Sequence, residues 1–84
     1  MILHTINKPA ALTLCEHLIR DDDLVVLIEE GAYLAGHEIP GQVSVIGSDM
    51  SARGLGDTAK EIQRIDYAAF VAMCASADKI CSWF

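Results

Sequence analysis

The sequence has no CxxC pair, no P-loop, no GxGxxG, no nucleophile elbow and no HExxH. The commonest phosphate, dinucleotide, hydrolase and metalloprotease chemistries therefore lack their essential groups. Its three cysteines, Cys15, Cys74 and Cys81, are an odd and scattered set. They form neither a disulfide framework nor a zinc site, and free thiols in a reducing compartment are expected. Positive charge is scarce as well: 6 basic residues stand against 12 acidic ones, for a formal net charge of -6. Such a chain repels a phosphate backbone, and no Lys/Arg cluster offers a local exception, so direct nucleic-acid binding is excluded. Docking on anionic membranes, which uses polybasic segments or basic amphipathic helices, is disfavoured for the same reason. No apolar run approaches the ~18 residues that span a bilayer, and Met1-Ile2-Leu3-His4 has no basic leader region. A cytoplasmic location is expected, with protein or small-molecule partners.

What is present is apolar. Residues of the AVILMFWYC set make up 52% of 84 residues, which excludes disorder. The length allows one domain, residues 1–84, and a domain this small buries only about 60–65% of its unfolded surface. Leu24-Val25-Val26-Leu27-Ile28 and Val43-Ser44-Val45-Ile46 are β-branched apolar runs bounded by Asp21-Asp22-Asp23 and by Pro40-Gly41, and they read as buried strands. Residues 2–6 form a third strand. Residues 62–66 form a fourth, placed at an edge by Gln63 and Arg64. A first helix, capped by Asn7 with Pro9 in its first turn, should run to about Arg20, with Leu12, Cys15, Leu18 and Ile19 on its sheet-facing side. Short helical turns should begin at Glu29 and Ser48 and close at Gly36 and Gly54. The last helix spans residues 68–77, and residues 79–84 supply a terminal strand. This alternation predicts an α/β fold with three α/β/α layers around a small, mostly parallel sheet. Too little helix is available to cover both sheet faces, so another subunit should cover part of the apolar surface.

The thiols are the most distinctive chemistry. Cys15 would accept sulfur as a persulfide only as an accessible thiolate, whereas its place on the apolar stripe favours a buried, inert thiol. Cys74 and Cys81 read as packing residues. His4 alternates with Ile2 and Ile6 and reads as a hydrogen-bonded core histidine; His17 and His37 read as exposed. Glu29 and Glu30 read as a solvated helix entry, and Asp21 to Asp23 as an exposed turn rather than a metal site. Asp66-Tyr67 follows a strand, at the end of the sheet where α/β proteins place ligands. No cofactor and no metal is expected.

Three segments resemble the TusB/DsrH family in order and spacing. Ile2-Leu3-His4-Thr5, Ala52-Arg53-Gly54-Leu55 and Ile65-Asp66-Tyr67-Ala68-Ala69-Phe70-Val71 are similar to its LHT, ARGL and [IV]DYxxFV motifs, and Trp83 is similar to its closing tryptophan. The resemblance implies a DsrE-like fold with the carboxyl-terminal strand added beside the first. It implies a subunit of a sulfur-relay complex that transfers persulfide, a carrier or scaffold rather than a stand-alone enzyme. The implied partners are two paralogous subunits, DsrE/DsrF-like or TusD/TusC-like, in a hetero-oligomer; an isolated chain could pair with a second copy. The implied process is 2-thiolation of the transfer-RNA wobble uridine. Alternatives are a non-catalytic assembly subunit and a DsrEFH-type complex in sulfur oxidation. Some DsrH-type members carry a cysteine in the first helix, and Cys15 aligns with it, which makes it the candidate persulfide carrier.

Overall fold

The computed structural model describes residues 1–56 and 61–83. Five strands form one sheet: β1 (Ile2–Ile6), β2 (Leu24–Leu27), β3 (Gln42–Ile46), β4 (Gln63–Ile65) and β5 (Lys79–Trp83). Their order is β4-β3-β2-β1-β5, and every pairing is parallel. The four expected strands are present, β4 at an edge, and the tail adds the fifth. Phe84 lies outside the described residues.

Register sorts the side chains onto two faces, because alternate residues of a strand point to opposite sides. His4 and Ile6 are level with Val25 and Leu27, with Val43 and Val45 beyond them, and with Cys81 and Trp83 on the other side. This face packs against Ala11, Cys15, Ile19, Ala32, Leu34 and Met50. The opposite face carries Leu3, Val26 and Ile46, covered by Phe70, Met73 and Cys74 of α3 (Tyr67–Ser76). The three connections from β1 to β4 thus cover one face, while α3 crosses back over the other to reach β5. Chains leaving β3 and β4 consequently diverge to opposite faces. The gap between those two carboxyl ends is the topological switch point of the sheet.

The first helical segment is more broken than its apolar periodicity predicts. A 3-10 turn at Pro9–Ala11 leads into one turn of α-helix, α1 (Leu12–Cys15), and then into a second 3-10 turn at Glu16–Leu18. Lys8 rather than Asn7 occupies the cap position, and no side chain caps the segment. It stops before Arg20 because the Arg20 amide donates to the Asp23 carboxylate at 3.1 Å and the Arg20 carbonyl accepts from the Asp23 amide, which closes a turn instead. Leu18, expected on the buried stripe, is exposed, since the path leaves helical geometry at Cys15 and Leu18 falls in the 3-10 turn that follows.

The remaining turns follow their chemistry. Glu29–Leu34 is a 3-10 stretch whose Gly31 passes so close to β1 that a Cβ there would strike the Ile6 carbonyl oxygen. Gly41, at φ +87°, lies where a Cβ would come 2.9 Å from the Asp23 carbonyl oxygen, so only glycine suits that entry to β3. α2 (Gly47–Ala52) follows β3 directly and buries Met50. Asp66 caps α3, its side chain accepting the Ala69 amide at 2.7 Å.

Candidate functional site

The switch point between β3 and β4 gathers the polar groups of two motifs. Asp49 is the third residue of α2, near the carboxyl end of β3, and Tyr67 opens α3 at the carboxyl end of β4. The Tyr67 hydroxyl donates to the Asp49 carboxylate at 2.9 Å, and the same oxygen accepts the Glu29 amide at 2.7 Å. Glu29 takes a left-handed φ of 49°, a conformation unusual for a residue with a side chain. Arg53 donates to the Asp49 backbone carbonyl at 3.3 Å. The hydrogen bond to Asp49 raises the Tyr67 phenol above its ordinary range, with desolvation next, because the bond to a carboxylate holds the proton on oxygen. Tyr67 is thus a neutral donor whose bond spans the switch point at the surface. Neither Glu29 nor Asp49 was singled out by pattern as a partner of Tyr67; only the position after a strand pointed here.

A second polar group lies within the sheet. His4 is 1% exposed and Asp23 2%, and His4 Nε2 lies 3.0 Å from Asp23 Oδ2. The Trp83 indole N–H donates to His4 Nδ1 at 3.1 Å. An indole nitrogen can only donate, so Nδ1 is unprotonated and Nε2 carries the proton toward Asp23. The two ring planes differ by 17°. Asp23 also accepts the Ile2 amide at 3.1 Å and the Arg20 amide. These donors, the Arg20 amide foremost, outweigh burial and lower the Asp23 carboxyl to about 2. The expected exposed turn therefore holds for Asp21 and Asp22 and is corrected for Asp23. Asp23 points inward because two backbone amides and a histidine need an acceptor there. The reading of His4 as a hydrogen-bonded core histidine holds; a buried polar partner for it was the clue that the Asp run was more than a solvated turn.

The thiols are separated. Cys15 is 0% exposed within the core of the first face, and burial followed by the neighbouring Glu16 raises its thiol pKa. Cys74 faces the other side of the sheet from α3, and Cys81 lies on β5; both are half-buried. His17, His37, Glu29 and Glu30 are exposed. Among the described residues no group of three or more His, Cys, Asp or Glu side chains could hold a metal ion, and no helix is long and apolar enough to cross a membrane.

One surface is unusually apolar. α3 has no charged residue in its ten, and its outward side exposes Tyr67 and Val71, the latter at 63%. Ile80 of β5 is also exposed, on the same side of the sheet as α3.

Comparison with known proteins follows this geometry. Residues 7–80 match the family described as DsrH like protein. The solution structure of protein Tm0979 from Thermotoga maritima superposes with a TM-score of 0.71 at 25% identity, covering 89% of this chain and 92% of that one. The crystal structure of the YchN protein from E. coli superposes with a TM-score of 0.67 at 13% identity, covering 96% of each, and shows a shared fold. No curated protein matches the chain in sequence.

Proposed function

Because the chain belongs to the DsrH-like family, it is a subunit of the sulfur-relay type that works within a complex, and we propose that its part there is assembly in support of 2-thiolation of the transfer-RNA wobble uridine. The observation that carries the assembly role is Cys15. Persulfide transfer requires a thiolate to attack the outer sulfur of a donor persulfide, forming a new S–S bond as the donor leaves as its own thiolate. A thiol with no exposed surface and a raised pKa is poorly suited to that attack. The uncharged outer side of α3 is suited to contact with another subunit instead. Paralogous DsrE/DsrF-like or TusD/TusC-like chains are the proposed partners. Acidic charge and the absence of a Lys/Arg cluster support a role in which a partner, not this chain, meets the transfer RNA.

A second reading keeps Cys15 as a persulfide carrier, favoured by its place in the first helical segment, where some DsrH-type relatives have a cysteine. That reading requires a partner to open the layer over Cys15. Incubating the assembled complex with cysteine and a cysteine desulfurase, then weighing this chain intact, separates the two: no added sulfur supports assembly, and a gain of one sulfur lost in Cys15→Ser supports the carrier. Transfer-RNA thiolation in a deletion strain tests the process, and unchanged thiouridine there would reject it in favour of a role in sulfur oxidation.

A further inference from the structure

We propose that the hydrogen bond from Trp83 to His4 is a proton-controlled latch that holds β5 on the sheet and opens when His4 takes a second proton. The inference is independent of the sulfur-relay role.

The geometry sets the direction. His4 Nδ1 accepts from the indole N–H at 3.1 Å, and Nε2 faces Asp23 at 3.0 Å. Both ring nitrogens are committed, and the only site for an incoming proton is Nδ1. Protonation there sets one N–H against another, with no acceptor between them, so the Trp83 bond must break. The imidazolium keeps its bond to the Asp23 carboxylate, so the histidine stays in place and Trp83 moves.

The strand at stake lies at the edge of the sheet, so what loosens is its free side and its Trp83 end rather than its five-residue ladder. β5 is an edge strand paired on one side only, with β1. Lys79 and Ile80 are exposed, and Trp83 is the large side chain through which β5 packs on the main core cluster. At its far end β5 is preceded by Asp78, whose carboxylate pairs with the amino-terminal ammonium at 2.6 Å and whose amide donates to the Met1 carbonyl. At the Trp83 end the Asn7 amide also donates to the Trp83 carbonyl at 3.4 Å. Among the described residues, the indole bond is the fastening of β5 that depends on a histidine.

The other titratable and charged groups on the elements that cover the His4 face of the sheet are Cys15, Glu16 and His17 of the helical segment, Arg20, Asp21 and Asp22 beside Asp23, Glu29, Glu30 and Tyr33 of the 3-10 stretch, Asp49 of α2, and Lys79 and Cys81 of β5. Cys81 is level with His4 in the sheet register. Asp23 and Trp83 are the side chains bonded to the imidazole.

The experiment is an acid titration of the whole chain by NMR, carried down to the pH at which the chain unfolds. It follows the His4 ring, the Trp83 indole N–H and hydrogen exchange of the β5 amides. As His4 gains its proton, the indole resonance should leave its bonded position, and β5 protection should fall about tenfold relative to β2, the size set by one hydrogen bond. Trp83→Phe removes the indole donor and keeps an aromatic ring, so the step in β5 protection should vanish in that variant. Asp78→Asn should leave the step in place. A His4 ring that gains no second proton before the chain unfolds would overturn the latch, as would β5 protection that stays constant when it does, or a step that persists in Trp83→Phe or disappears in Asp78→Asn.

Discussion

Tyr67 and Asp49 bridge the divergence of β3 and β4: the phenol donates to the carboxylate at 2.9 Å, across the one place in the sheet where successive connections leave to opposite faces. Parallel sheets open a crevice at such a point. Here the bond spans it at the surface, and the same carboxylate oxygen accepts the amide of Glu29, which holds a left-handed φ.

The first prediction follows from that carboxylate. Tyr67 should titrate above the ordinary phenol range, because removing its proton places a phenolate against Asp49. Asp49→Asn should bring the phenolate absorbance of Tyr67 down toward the ordinary range. An unchanged high titration in the variant would mean that desolvation, not Asp49, holds the proton.

Asp23 predicts an acid limit to stability. Its carboxyl is lowered to about 2 in the folded chain, against about 3.9 for an unperturbed aspartate. A depressed folded pKa stabilises at pH above the unfolded value and loses that stabilisation as the pH falls through the folded one. The urea midpoint should therefore drop between about pH 4 and about pH 2. Asp23→Asn should cost about 2–4 kcal/mol at neutral pH, because an amide offers one acceptor where the carboxylate offers two and leaves buried donors unmatched. It should also flatten the acid drop. A variant that keeps the full drop would assign the acid limit to other carboxyls.

The cap of α3 allows a cleaner test. Asp66→Ala removes the acceptor of the Ala69 amide at an exposed position, so it should cost about 1 kcal/mol with little effect elsewhere. Thermal unfolding measures it, and a loss below a few tenths would mean that packing of Phe70 and Met73 alone sets where the helix starts.

Much of the fold was legible because its strongest signals are local. Val25, Val26, Val45 and Ile46 announced buried parallel strands, Gly41 and Pro40 the turn between them, and the alanine-rich run from Ala68 the last helix, whereas Asp66 was read as the end of a strand and caps that helix instead. What periodicity missed depended on distant partners. Leu18 has the right spacing for a buried stripe, yet the helical path breaks at Cys15, and beyond it Asp23 captures the Arg20 amide in a turn. Asp23 itself looked solvated beside two aspartates, because its reason for burial, His4, lies 19 positions away. Trp83 was legible as a packed tail but not as a hydrogen-bond donor, since its acceptor lies at the other end of the chain.

Cys15 makes the last prediction. With the whole side chain enclosed and its thiol pKa raised by burial and by Glu16, it should react with a thiol reagent only when the fold opens. Cys74 and Cys81 keep partial exposure, so two thiols per chain should react fast and one slowly in the folded state. Mild denaturant should accelerate the slow one in step with global unfolding, since α1 lies inside the main core cluster. Cys15→Ser should remove the slow phase and cost about 1–3 kcal/mol, because the hydroxyl would enter an apolar site without a partner. Adding the paralogous subunits then decides what the thiol is for. If the slow phase stays slow in the complex, Cys15 is a core residue there as well. If it becomes fast while the fold stays intact, a partner has opened the layer over it, and the carrier reading replaces the assembly one.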